Sequence, residues 1–404
     1  VDVAPVHREK AHVLPLDSIR GLAALSVVIH HVILMKTFLA AFPQHPWIDC
    51  AFFRSGGFLV DLFFVLSGIV MSLSYVQPDF GRFSLREFMV RRLARIYPLH
   101  IVMLLVTLLF RFARIGLVAA GLVVAVPTSL EVNNTYSFVL NVFLLHSLGF
   151  VDYLSWNAPS WSISVEFCTY LVFGLVLLLA QRLGAIRWLY VGSLLLVAGS
   201  WLGLVVVLGK QDLGAQYDFG LLRCFTSFFL GVLTVKAVSR VPRAIGPAWQ
   251  GALQFSAMVA VVVHVSLVEA HPFASFFAPV TFALFLGSLL AFPDALVVPK
   301  LLVAKPLVWL GKRSYSVYMV HAFVVLLAEY FVRAVGPRPV AALDSLCHGL
   351  AASLNLAVVL GAVLWLSNLT YRYVELPGSR LLKQLMSSVP VLSAPSAATA
   401  RPST

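Results

Sequence analysis

The chain has 404 residues, 60% hydrophobic and only 11% charged, with a mean hydropathy of +0.93. A soluble globular domain carries about 25% charged residues, so this composition excludes an ordinary water-soluble fold and suits a chain solvated by lipid. The net charge of +12 does not argue for nucleic acid. The 29 Lys and Arg lie mostly in short polar gaps between apolar runs, as in the basic loops of polytopic membrane proteins.

Taken in order, the apolar runs predict an all-α polytopic membrane protein of about ten transmembrane helices, at 16–35, 57–75, 97–126, 161–181, 188–209, 219–238, 246–268, 273–291, 306–332 and 343–368. Arg111 and Arg114 interrupt the third run, which makes it the weakest of the ten and leaves two shorter elements as the alternative. The patch NVFLLH from Asn141 reads as re-entrant or interfacial. The first run carries an internal arginine and continues into the polytopic body, so no cleavable signal peptide is expected.

With the N-terminus in the cytoplasm, 21 Lys and Arg fall on the inner side. The other 8 are Lys36, Arg54, Arg111, Arg114, Lys210, Arg223, Arg333 and Arg338. That bias favours ten spans with both termini cytoplasmic. Cys50, Cys168, Cys224 and Cys347 have no close spacing and read as inert packing residues. The tail from Ser387 is rich in Ser, Ala and Pro and is expected to be disordered. No internal repeat is evident, which weighs against a repeat-built transporter.

Ionisable residues inside these runs are the candidates for function, because such groups face a bundle interior or a wet cavity. In LDSIRGLAALSVVIHH, Arg20 and His31 are eleven positions apart, about three helical turns. They share one face, roughly 16 Å apart along the axis, while His30 points about 100° away. His31 suits general-base activation of an alcohol; an interfacial histidine with Arg20 reaching to lipid phosphates is the plainer reading. Asp17 is placed to orient Arg20 by an i,i+3 contact.

Asp61, at the start of the second run, needs a partner, either a polar acceptor or a buried hydrogen bond. Ser67 and Gly68 read as close-packing residues. Arg91, Arg92 and Arg95 form a cationic cluster suited to lipid phosphate or to a phosphate-bearing ligand. Glu166 lies about one turn inside the fourth run and shares a face with Ser162. It suits an acceptor hydroxyl, a histidine from another helix, or an interhelical lock. Tyr315, Tyr318 and His321 line one side of the ninth run. Arg372, Glu375 and Arg380, where the last run ends, read as local charge pairing and helix termination. No Walker loop, Rossmann glycine fingerprint, HExxH or GxSxG motif is present.

The ordered set LDSIRGLAALSVVIHH, VDLFFVLSGIVMSLS, FMVRRLARIYP, PSWSISVEFCTY and GKRSYSVYMVH resembles the membrane-bound acyltransferase family 3. That family includes bacterial O-acetyltransferases of surface saccharides and relatives acting on small natural products such as macrolides. The resemblance implies a ten-helix core around an intramembrane polar cavity and an acyl-CoA donor, acetyl-CoA being expected, approached from the cytoplasm. It also implies an essential first-span histidine, matched by His31. By the same resemblance Arg20, Arg91, Arg92 and Arg95 hold the donor, and Glu166 joins His31 in the chemistry. Asp61, Tyr315, Tyr318 and His321 meet the acceptor.

The expected layout is a cytoplasmic segment 1–13, an acyltransferase membrane domain 14–380 and a cytoplasmic tail 381–404, in the bacterial inner membrane. Expected partners are the bilayer, a saccharide or other hydroxyl acceptor and envelope-glycan biosynthesis proteins, with no nucleic acid and no metal. Two other classes compete. A secondary transporter or flippase would use the same polar groups as a substrate path. In a non-catalytic scaffold those groups would only pack helices.

Overall fold

The computed structural model describes residues 6–34, 49–76, 83–121, 131–242, 245–295, 297–335 and 349–387, with isolated positions 339, 342 and 345. The regular structure among these residues is all helical, with no strand among them. The main helices are α1 (Val6–Leu34), α2 (Leu59–Tyr75), α3 (Leu85–Ala119), α4 (Thr135–Val142), α5 (Trp161–Arg182), α6 (Arg187–Leu202) and α7 (Gly220–Val238). They continue with α8 (Pro247–Leu267), α9 (Ala278–Ala291), α10 (Lys305–Lys312), α11 (Ser314–Val335), α12 (Leu350–Thr370) and α13 (Leu376–Ser387). Ten helical stretches among the described residues are long and apolar enough to cross a membrane. The protein is a multi-pass helical membrane protein, as its composition predicts.

Three boundaries differ from the sequence reading. The third run is one unbroken helix of 35 residues, despite Pro98 within it. Its start is fixed by Ser84, whose side chain accepts from the Glu87 N–H, satisfying a backbone donor that the first helical turn leaves open. The ninth run divides into α10 and α11. The tenth span enters at Leu350 and, beyond a π-helical turn at Tyr371–Glu375, continues as α13. The Asn141 patch is the end of the short helix α4, started by a capping box between Asn134 and Ser137, and the turns that follow it. The expected tail beyond Ser387 lies outside the described residues, as does Cys347. Cys50, Cys168 and Cys224 are free thiols.

Close packing sets the centre of the bundle. Gly68 of α2 and Gly231 of α7 face each other so tightly that a Cβ on Gly68 would overlap the Phe228 carbonyl, and one on Gly231 the Val65 carbonyl. Small residues let helix backbones approach in lipid, where no hydrophobic force drives helices together. The expected packing role of Gly68 is what the structure shows. Around this crossing, Phe64, Phe88, Phe173, Phe228 and Phe229 are fully buried. The lipid side carries exposed Leu109, Phe112, Val206, Val207 and Trp365.

Candidate active site

A cavity of about 200 Å³ opens among α1, α2, α3, α5 and α11. Three guanidinium groups line it, those of Arg20, Arg92 and Arg95, together with Ser67, Glu166, Tyr170, Ser162 and Tyr318. Apolar Val60, Phe63, Phe64, Val70 and Met71 of α2 line the rest. Drug-sized pockets hold about 300–1,000 Å³, so this cavity is smaller than those.

Each arginine is oriented by a neighbour. Arg20 donates from Nη1 to Asp17 Oδ1 at 3.3 Å, the expected i,i+3 contact. Arg92 is ringed by aromatics, its guanidinium 5.8 Å from the Tyr75 ring centroid and 5.9 Å from those of Phe88 and Tyr170. Such rings attract a cation through their negative faces. The Arg92 Nε has no hydrogen-bond partner among the described residues. Arg95 pairs with Glu375 and lies 5.6 Å from the centroid of Tyr315. Arg91 differs from the reading of the cluster as one unit: it is exposed, donates to Glu87 Oε2 at 2.8 Å and does not line the cavity. Helical angle alone does not make the split, since Arg91 and Arg95 are i,i+4 and share a face; Arg91 sits one turn nearer the helix start, where Glu87 takes it.

Glu166 is the carboxylate of the cavity. Its Oε1 accepts from Ser67 Oγ at 2.5 Å and from Tyr170 Oη at 2.7 Å. Both donors are hydroxyls, so the carboxylate is held without a cation against it. Tyr318 is anchored by donation to the Pro159 carbonyl at 3.0 Å and acceptance from Ser162 Oγ at 2.8 Å. Tyr315 donates to the Ile96 carbonyl at 2.5 Å.

The histidines stand behind this wall. His31 and His321 do not line the cavity; their ring centroids are 4.8 Å apart, and His321 is 5.6 Å from the Tyr318 ring. Nδ1 of His31 lies 2.9 Å from the Val27 carbonyl. A carbonyl only accepts, so this contact puts the proton on Nδ1 and leaves Nε2 as the basic nitrogen. His321 is arranged the same way toward the Tyr318 carbonyl at 2.5 Å, and its buried Nε2 has no partner among the described residues. His30 turns aside, donating from Nδ1 to the Phe53 carbonyl at 2.8 Å. The two histidines differ in their partners: His31 lies against His321, and His30 meets the short helix Ala51–Arg54, while neither lines the cavity beside Arg20.

Asp61 is not in the cavity either. It is fully buried and clasped by Arg223, from Nη2 to Oδ2 at 2.7 Å and from Nε to Oδ2 at 3.1 Å, with Ser227 Oγ donating to Oδ1 at 2.9 Å. Arg223 also donates to the carbonyls of Gly57 and Ala215, between the rings of Phe58 and Trp161. Its place in the charge tally as an outer-side residue is corrected: it is buried inside the bundle. The sequence reading passed over Arg223 and Tyr170 and took Ser67 for packing. Arg223 carried a usable signal, an arginine inside an apolar run, which must find a partner or a cavity.

A protein-family model described as an acyltransferase domain matches residues 14–372. The chain is similar to the O-acetyltransferase OatA of Staphylococcus aureus, strains NCTC 8325 / PS 47 and COL. Identity to each is 27% over 390 residues, covering 90% of this chain and 56% of the relative. The chain thus spans about half the length of the curated relatives it matches. No solved structure matches it. The match across nearly all of the helical bundle means that the chain belongs to the membrane-bound acyltransferase family 3.

Proposed function

We propose that this chain is a membrane O-acetyltransferase that moves an acetyl group from acetyl-CoA to a hydroxyl of a saccharide or glycoconjugate. The observation that carries the reading is the cavity itself. Three arginines and a hydroxyl-held carboxylate line it, and an imidazole pair lies beside Tyr318. Guanidinium groups fit the phosphates of an anionic donor. A cavity of about 200 Å³ admits the thioester arm while the nucleotide stays outside. The relatives' name, O-acetyltransferase, supports acetyl as the group and oxygen as its destination.

In this reading Glu166 orients the acceptor hydroxyl and His31 Nε2 takes its proton. The alkoxide oxygen bonds to the thioester carbonyl carbon, the carbon–sulfur bond breaks, and His31 returns the proton to the departing thiolate. The products are an ester and a free thiol, with no net proton change. For His31 to take part, the Tyr318 side chain must yield toward the cavity or the acceptor must reach past it. Tyr315, Tyr318 and His321 form the wall along which the acceptor lies. The basic loops support an orientation with both termini, and hence the arginine mouth, in the cytoplasm of a bacterial inner membrane.

The test uses purified protein in nanodiscs with radiolabelled acetyl-CoA and candidate saccharides or extracted envelope glycans. Label passes to the acceptor in wild type and in His30→Ala, and is lost in His31→Ala. Equal turnover by wild type and a folded His31→Ala protein overturns the mechanism. Movement of an acceptor across the membrane without consumption of acetyl-CoA overturns the function in favour of a transporter.

A further inference from the structure

The least expected feature near the cavity lies at the chain's other end. Glu375 closes the π-helical turn Tyr371–Glu375 and is 1% exposed. A carboxylate so buried needs partners, and Glu375 has two on two different helices. Oε1 pairs with Arg95 of α3, and Oε2 accepts from Ser316 Oγ of α11 at 2.7 Å. Ser316 is itself fully buried. Arg95 is much more open, its side chain 41% exposed, and it lines the cavity while Glu375 does not. The pair is asymmetric: a fixed anion inside, and a cation held by it at the mouth.

The surroundings keep that anchor from moving. π-helical turns are rare and concentrate at functional sites because they displace a side chain by one register step. Just beyond this one, Gly378 of α13 packs on Pro98 of α3, where a Cβ would come within 2.5 Å of the proline ring. The contact fixes α13 against α3 one turn from Arg95. Behind the guanidinium, Tyr315 is fastened to the Ile96 carbonyl.

We infer that Glu375 is a positioning residue for the donor: it holds the Arg95 guanidinium by one edge so that the other edge faces the phosphates of acetyl-CoA. This deepens the proposed function and rests on its reading of the arginine mouth. Glu375 touches no reacting atom. Its effect belongs in donor affinity rather than in the chemical step, and it acts through Arg95 alone.

The experiment measures KM for acetyl-CoA and kcat in nanodiscs, with CoA binding by calorimetry as a second readout. Glu375→Ala raises KM and the CoA dissociation constant about tenfold and leaves kcat within twofold. Glu375→Gln keeps the length, its amide oxygen still accepting from Arg95 while its amide N–H donates to Ser316 Oγ, and restores KM to within about threefold of wild type. Ser316→Ala, which removes only the second anchor, gives an intermediate KM and covers the case in which Glu375→Ala fails to fold. In an Arg95→Ala background, Glu375→Ala adds nothing further. An unchanged KM in folded Glu375→Ala, a fall in kcat alone, or additive effects with Arg95→Ala overturns the inference and leaves the proposed function standing. A wild-type chain that neither binds CoA nor turns over acetyl-CoA overturns both.

Discussion

Replacing Asp61 separates a structural role from a substrate contact. The carboxylate accepts from Nε and Nη2 of Arg223 and from Ser227, and neither charged side chain is more than 2% exposed. Asp61→Leu strips Arg223 of every anionic contact and leaves it only the Gly57 and Ala215 carbonyls. Breaking a buried pair by deleting one partner costs about 3–5 kcal/mol, because a desolvated charge is left alone, whereas replacing both partners by apolar groups is near neutral. Thermal unfolding in detergent therefore shows a large loss for Asp61→Leu and for Arg223→Met, with most of it recovered in the double variant. If the pair is structural, the double variant also keeps acetyl transfer. A double variant that melts like wild type but is inactive would refute this reasoning and return Asp61 to the acceptor site.

Gly68→Ala drives a methyl group into the Phe228 carbonyl and costs about 1–3 kcal/mol by overpacking. Gly116→Ala, with no atom within 4 Å of the new Cβ, is neutral or slightly stabilising; a melting series comparing the two checks the contrast. His146, in the segment between α4 and α5, stacks on His100 and is held neutral, its pKa lowered to about 3 by burial first and by the nearby His100 second. Between pH 6.5 and about 3 the unfolded chain takes up a proton that folded His146 refuses. Stability contributed by His146 is thus complete above pH 6.5 and falls as pH drops, approaching tenfold in the folding equilibrium constant per unit. Melting curves of wild type from pH 7 to 4.5 should steepen this loss relative to His146→Gln; parallel curves would contradict it.

The membrane architecture was legible because apolar length and the spacing of basic loops are written locally, residue by residue. Arg20, Arg92, Arg95 and Glu166 were legible for a related reason: a charge in an apolar run must find a cavity or a partner, and helical angles say which charges look the same way. Partner identity was not legible. Asp61 and Arg223 are 162 positions apart, and nothing in either local pattern says that they meet. Glu375 was read as helix punctuation because its partners come from α3 and α11, joined only by the folded bundle. Ser67 was read as packing for the same reason: the carboxylate that it serves lies on another helix.

The length of α3 carries a consequence for the lipid around the site. Thirty-five residues make a rod of about 52 Å, while the hydrocarbon layer is about 30 Å thick. Arg95 and Arg111, the innermost charges toward either end, are only about 24 Å apart along the axis, and Arg111 is tethered over Trp156, 5.4 Å from its ring centroid. A stretch that short between charges is one that a bilayer accommodates by thinning locally.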